Sequence, residues 1–194
     1  MVEVEVGFKI KQTQAQAEQI LKKDGYELMY STQTHDLYFT NKKLDASMSE
    51  QQIKFSCVRF RHSGGGCSFD NYNIFKQGPD RFKCSLDEAA EHFIQLKQAG
   101  FNKVIDTFKT DFIYKKGNAY HQLQNIKYVG LLDYYYDEEI FGKPEQEQFD
   151  ILKKQMLDLG FELEYELGID KLRSLVSEKP CFSINQNGNY NQMK

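Results

Sequence analysis

No two cysteines of this chain stand in a C-x-x-C spacing; Cys57, Cys67, Cys84 and Cys181 are scattered. That speaks against zinc and points to a reduced intracellular compartment, cytoplasmic by default, with an organellar location left open. Also lacking is an apolar run of membrane length or a signal peptide, so no direct membrane insertion is expected. There is no basic surplus either: 25 Lys and Arg against 28 Asp and Glu give a net charge of -3, and nucleic acid is not an expected partner. Tryptophan is absent, whereas 15 Phe, 12 Tyr and many β-branched residues lean the chain toward sheet. At 194 residues, 40% apolar and 27% charged, the chain suits one domain, taken as 1–176, with a polar tail over 177–194.

What is present begins with alternation. Val2, Val4, Val6, Phe8 and Ile10 alternate with Glu3, Glu5, Gly7, Lys9 and Lys11, which is the period of a strand with one apolar and one charged face. Thr13 and Gln16 can form a capping box for a helix with Ala17, Ile20 and Leu21 on its apolar side. Tyr26–Ser31 and Asp36–Thr40 read as two strands, Asn41–Gln52 as a loop, and Ile53–His62 as a strand with Arg59 and Arg61 on one face. Gly64-Gly65-Gly66 reads as a hairpin turn, since no Gly-Lys-Ser/Thr follows to make a phosphate loop. A strand at Tyr72–Gln77 and a turn at Gly78-Pro79-Asp80 come next.

Ser85 and Glu88 open a second capped helix, with Ala89, Phe93, Ile94 and Leu96 on its apolar side. Phe101–Lys115, Ala119–Ile126 and Leu131–Phe141 read as strands, the last with Asp133, Tyr135, Asp137 and Glu139 on one face. Pro144 suits the first turn of a helix that buries Phe149, Leu152, Met156 and Leu159. Phe161–Leu167 alternates again, a short helix is expected over 170–176, and the Asn- and Gln-rich tail from Ser183 should not order by itself. Three helices end in Gly followed by an aromatic that starts a strand, at Gly25-Tyr26, Gly100-Phe101 and Gly160-Phe161.

The fold class is therefore α+β. So many antiparallel strands with charged faces suggest a closed or nearly closed barrel of about eight strands, with a charged lumen and helices packed outside. Its candidate inward charges are Glu3, Glu5, Lys9, Arg59, Arg61, Lys76, Lys109, Asp137 and Glu139. Arg forks and Lys suit phosphoryl oxygens, and paired carboxylates suit a hard divalent cation, so the set fits a metal-bound polyphosphate. His35, His62, His92 and His121 form no recognisable pair and read as surface residues.

The order of these elements resembles the CYTH superfamily, the triphosphate tunnel enzymes that include thiamine triphosphatases and class IV adenylyl cyclases. The resemblance rests on Glu3-Val4-Glu5, Asp36-Leu37-Tyr38-Phe39, Arg59-Phe60-Arg61, Lys76-Gln77-Gly78-Pro79, Lys109, and the acidic run Leu132 to Glu139, together spanning roughly positions 2 to 170. It implies Mg²⁺- or Mn²⁺-dependent hydrolysis of inorganic triphosphate or a thiamine triphosphate-like substrate. Glu3, Glu5, Asp137 and Glu139 would then hold the metal, and Lys9, Arg59, Arg61, Lys76 and Lys109 the phosphates. The chain departs from the pattern at Gly7, where a Lys is expected, at Asp111, where a second basic residue is expected, and at Asp133, where a Gly is expected. Near Gln124–Lys127 the metal-binding Asp of the pattern has no counterpart, and a Glu has become Asp137. These departures support an alternative: a catalytically inactive relative that serves as a phosphate-binding or structural subunit of a larger assembly. Its partners would be reached through Tyr134, Tyr135, Tyr136 and the C-terminal tail.

Overall fold

A computed structural model of the chain describes residues 6–45, 47–64, 66–71, 81–167, 175–176, 182–184 and 190–192. In chain order the elements are β1 (Val6–Ile10), α1 (Gln14–Lys23), β2 (Glu27–Thr40), α2 (Glu50–Ser56), β3 (Val58–Ser63), β4 (Gly66–Asn71), β5 (Arg81–Cys84) and α3 (Leu86–Gln98). There follow β6 (Asn102–Lys116), β7 (Ala119–Ile126), β8 (Gly130–Asp137), a 3₁₀ turn (Glu138–Ile140), α4 (Glu145–Asp158), β9 (Leu163–Leu167), β10 (Phe182–Ile184) and β11 (Tyr190–Gln192).

Among the described residues the architecture is α+β, with four helices and a large antiparallel sheet ordered β5-β4-β3-β2-β6-β7-β8-β1-β9. That order has two ends, β5 and β9, so among the described residues the sheet is open and closure into a barrel is not shown. The chain divides into two compact units, Met1–Thr32 with Thr110–Gly168, and Gln33–Lys109 with Ile169–Lys194. In the first unit α1 and α4 supply Ala17, Leu21, Leu152 and Met156 to a core shared with Phe8, Ile10, Leu123, Leu131 and Tyr135. In the second, Ala89 and Phe93 of α3 pack on Leu37, Phe39, Val58, Phe60 and Phe69.

Local chemistry explains the helix boundaries. Thr13, Ser49 and Ser85 each accept the N3 backbone N–H, and Gln16, Gln52 and Glu88 return the bond to the cap backbone. The three Gly-aromatic helix ends share one geometry. Tyr26, Phe101 and Phe161 donate their N–H to Leu21, Leu96 and Met156 across a glycine of positive φ (88°, 79° and 96°). The reversal turns each aromatic back over its own helix, and Tyr26 and Phe161 enter the first core.

Several expectations are corrected. Tyr26–Ser31 and Asp36–Thr40 are one strand, β2, because Gln33 and Thr34 lie within it without a break. The end of the expected loop at Asn41–Gln52 and the start of the expected strand at Ile53 are instead α2: the Ser49/Gln52 box nucleates a helix that buries Ile53 before β3 begins at Val58. Strand Leu131–Phe141 stops at Asp137, where the chain turns 3₁₀. The hairpin expected at the glycine run is met by Ser63 pairing with Gly66, Gly65 itself lying outside the described residues. In the polar tail, β10 and β11 pair with each other over Phe182–Ile184 and Tyr190–Gln192. The strand expected at 72–77, the turn at 78–80 and most of the helix at 170–176 lie outside the described residues. Among the described residues no helix is long and apolar enough to cross a membrane.

Leu152 is fully enclosed at the heart of the first core, whereas Leu157, five residues on, is half exposed. Leu152→Ala should lower unfolding free energy by about 2–5 kcal/mol in urea titrations and Leu157→Ala by no more than about 0.5. Equal effects would contradict this packing of α4.

Candidate functional site

Register assigns every strand residue to one of two faces. In the second unit β2 and β3 pair Asp36 with Arg61, Leu37 with Phe60, and Tyr38 with Arg59. Leu37, Phe39 and Phe60 thus point to the α3 side, while Asp36, Tyr38, Arg59 and Arg61 share the opposite, polar face. Across β3, Arg61 meets Ser68, which extends that polar face onto β4.

Asp36 is the centre of this face. Its two oxygens accept Nε and Nη2 of Arg61, both at 2.7 Å, and Nζ of Lys109 lies 2.7 Å from Oδ2. Burial by itself would push the Asp36 carboxyl up, but Lys109, Arg61 and Arg59 together outweigh it and hold the group far below the usual carboxylate range. Burial, reinforced by the Asp36 charge, pushes the Tyr38 phenol well up, and Arg59 makes a side-chain hydrogen bond to it. Arg59, Arg61 and Lys109, expected at a phosphate, are thus gathered round one carboxylate that belongs to the chain.

The first unit holds the remaining described candidates, and alternation separates them. Phe8 pairs with Asp133 and Lys9 with Leu132, so the apolar side of β1 shares its face with Asp133, Tyr135 and Asp137. This is the face covered by α1 and α4. Lys9 points to the other face and forms an ion pair with Glu164 at 3.0 Å. Asp137 accepts the Glu139 backbone N–H at 3.0 Å and reaches Gln155 Nε2 at 3.5 Å, so it caps the 3₁₀ turn.

Glu139 does not share a strand face with Asp133, Tyr135 and Asp137, contrary to expectation, because the strand has ended; its side chain is exposed. These two carboxylates do not fit a joint ligand set for Mg²⁺ or Mn²⁺: N–H donors face the oxygens of Asp137, and Glu139 points away from the strand pattern. No three His, Cys, Asp or Glu side chains converge on a metal position among the described residues. Glu3, Glu5 and Lys76 lie outside them. Tyr135 is also corrected: it is 2% exposed within the core, so only Tyr134 and Tyr136, both half-buried, remain of the run expected to meet a partner.

Two histidines taken for surface residues are buried against aspartates. His121 Nδ1 is 2.6 Å from Asp133 Oδ2, with both side chains fully enclosed and the imidazole stacked 4.0 Å from the Tyr135 ring. His35 Nε2 is 2.6 Å from Asp106 Oδ1, and Lys103 pairs with the other oxygen at 3.2 Å. Each imidazole sits at an apolar position of its strand, His121 before Leu123 and His35 before Leu37. That parity was the available signal; the partner aspartates follow only from register.

The polar face of the first unit carries a further group. Asp111 Oδ1 accepts Gln122 Nε2 at 2.9 Å and Gln124 Nε2 at 2.5 Å. Where the triphosphate pattern has a cation, this chain holds a carboxylate fixed by amides.

No family model matches the chain, and no curated protein matches it in sequence. Solved structures do resemble it. The PH1819 protein of Pyrococcus horikoshii OT3 aligns with a TM-score of 0.57 at 18% identity, over 88% of this chain and 94% of that one. The PH1012 protein of the same organism gives 0.53 at 17%, over 83% and 94%. A candidate adenylate cyclase of Vibrio parahaemolyticus gives 0.51 at 14%, over 86% and 94%. At such identities the likeness concerns the fold alone.

The Asp36 clamp makes a signed prediction. Its folded pKa lies below the unfolded value of about 3.9, so its contribution is complete above that pH and is lost as pH falls toward the folded value. Asp36→Asn should cost about 3–5 kcal/mol near neutral pH, by leaving Arg61 and Lys109 without their counter-charge, and should flatten the acid-side loss of stability. Urea unfolding of both proteins from about pH 3 to 7 reads this out. A variant as stable as the parent at neutral pH would show the clamp to be dispensable.

Proposed function

We propose that this chain is a catalytically inactive protein of CYTH-like fold that serves as a binding or structural subunit of a larger intracellular assembly. The observation that carries this reading is the clamp on Asp36, in which Arg61 and Lys109 already neutralise a carboxylate that is 1% exposed. Handing both cations to a phosphate would leave that buried charge unpaired, at a cost of several kcal/mol. A triphosphatase needs the same groups free for the charge that develops in the transition state. Asp111 adds an anion on the polar face of its own unit, and Asp137 spends its oxygens on a turn. Tyr134, Tyr136 and the C-terminal tail are the surfaces this reading gives to partners. Curling of the sheet into a barrel belongs to it as well.

One observation favours a second reading, metal-dependent hydrolysis of inorganic triphosphate or a thiamine triphosphate-like substrate. Arg59, Arg61 and Lys109 share the polar face of the second unit with Asp36, and these are the residue types that phosphoryl oxygens take. In this reading Glu3 and Glu5 would hold Mg²⁺ or Mn²⁺, while Lys9 and Lys76 would add to the phosphate contacts. Weak phosphate binding without turnover remains compatible with the first reading.

Phosphate release from inorganic triphosphate, thiamine triphosphate and ATP, with Mg²⁺ or Mn²⁺, separates the two. The parent protein, shown to be folded, should release no more phosphate than Glu5→Ala and Arg59→Ala variants. Metal-dependent turnover that disappears in both variants would overturn the subunit reading in favour of the hydrolase.

A further inference from the structure

We infer that the polar face of the first unit, at Asp111, Gln122 and Gln124 beside the tyrosines of β7 and β8, is a binding site for an organic cation carrying N–H donors, an alkylammonium or guanidinium group. This face holds an unbalanced charge. Asp111 is 5% exposed, and its hydrogen bonds are the two amide donors on Oδ1. Among the described residues no Lys or Arg pairs with it, unlike Asp36 and Asp106. Amides cover part of a buried carboxylate, yet they bring no counter-charge.

The second observation is an orphaned acceptor. Gln124 is also 5% exposed, and among the described residues its Oε1 has no hydrogen-bond partner. The amide cannot be turned to relieve this, because that would aim Oε1 at the carboxylate and withdraw Nε2 from it. What the pair leaves unbonded among the described residues is therefore acceptor only: the second carboxylate oxygen and a buried amide oxygen. A phosphate would be repelled there, and a group that donates while bringing positive charge would satisfy both.

Neighbouring rings narrow the class. Gln122 lies opposite Tyr134 in the β7–β8 register, and Tyr120 opposite Tyr136 on the same face. Tyr120 and Tyr136 stack at 4.7 Å with a 6° interplanar angle. Lys115 Nζ already sits 4.6 Å over the Tyr120 ring, so this face holds one ammonium of the chain's own. Tyr134 stands opposite Gln122 in the register, and two acceptor oxygens suit N–H donors rather than a hydrated divalent metal, which needs about six oxygen ligands.

Agmatine, which carries both an ammonium and a guanidinium, is the probe, and isothermal titration calorimetry of the full chain is the measurement. Saturable binding should weaken at least tenfold in Asp111→Asn, which removes the charge and keeps the shape. Gln124→Met, which removes only the orphaned acceptor and its donor, should also weaken binding and guards against misfolding of the first variant. Putrescine and guanidinium chloride distinguish the two headgroups, and tetramethylammonium, which has no N–H, should bind far less well than either. The inference is overturned if the parent shows no saturable binding of agmatine, if Asp111→Asn and Gln124→Met both bind it as the parent does, or if Mg²⁺ at equal ionic strength displaces it fully. Phosphate release is not read here, so failure of this site and failure of the subunit reading are told apart.

Discussion

Side-chain alternation in long strands is the constraint on which this molecule depends. A strand gives its odd residues to one face and its even residues to the other, with no freedom to move a single position across. In β8 this sends Leu131, Asp133, Tyr135 and Asp137 beneath the helices, and Leu132, Tyr134 and Tyr136 to the opposite side. In β2 and β3 it gathers Asp36, Tyr38, Arg59 and Arg61 on one side and Leu37, Phe39, Val58 and Phe60 on the other. Which charges can cooperate is settled by parity before any question of distance arises.

The buried aspartates show how differently one problem can be solved. Asp36 is met by a guanidinium fork and an ammonium, Asp106 by an imidazole and an ammonium, and Asp133 by an imidazole alone. Asp137 takes a backbone N–H, and Asp111 takes two side-chain amides. The partners differ along this series while burial hardly changes, all five being between 0% and 8% exposed. Buried carboxylates with full cationic partners act as fixed structural members, since moving either side exposes the other to an uncompensated interior. Asp111 and Asp137 stand apart because their partners are neutral amides.

Much of the fold was legible because its signals are local. The capping boxes at Thr13 and Ser85, the Gly-aromatic helix ends and the alternation of β1 each depend on residues within a few positions of one another. The box at Ser49 and Gln52 was equally local, but the apolar residues that follow it, Ile53 and Phe55, alternate as a strand would, and the helix was missed. Long-range facts were less accessible. That Arg61 would fork onto Asp36 required the β2–β3 register, and that Asp137 would turn inward required knowing where β8 ends. Residue type pointed to phosphate chemistry at Arg59, Arg61 and Lys109; only pairing revealed that the chain supplies an anion of its own.

In the subunit reading proposed above, the same pairing bears on how a phosphate-binding fold could become a scaffold. A set of cations facing water-filled space is held apart by mutual repulsion and is stabilised only when an anion is bound. An internal carboxylate such as Asp36 makes that stabilisation permanent, because Arg61 and Lys109 are then satisfied in every state of the protein. Once the cations support the fold by themselves, substitutions elsewhere on the polar faces no longer threaten folding. A carboxylate at position 111, which would oppose a bound triphosphate, can then be accommodated by nothing more than two glutamines on the adjacent strand. In that reading, stability independent of ligand would free the polar surface of the first unit to take on a different chemistry.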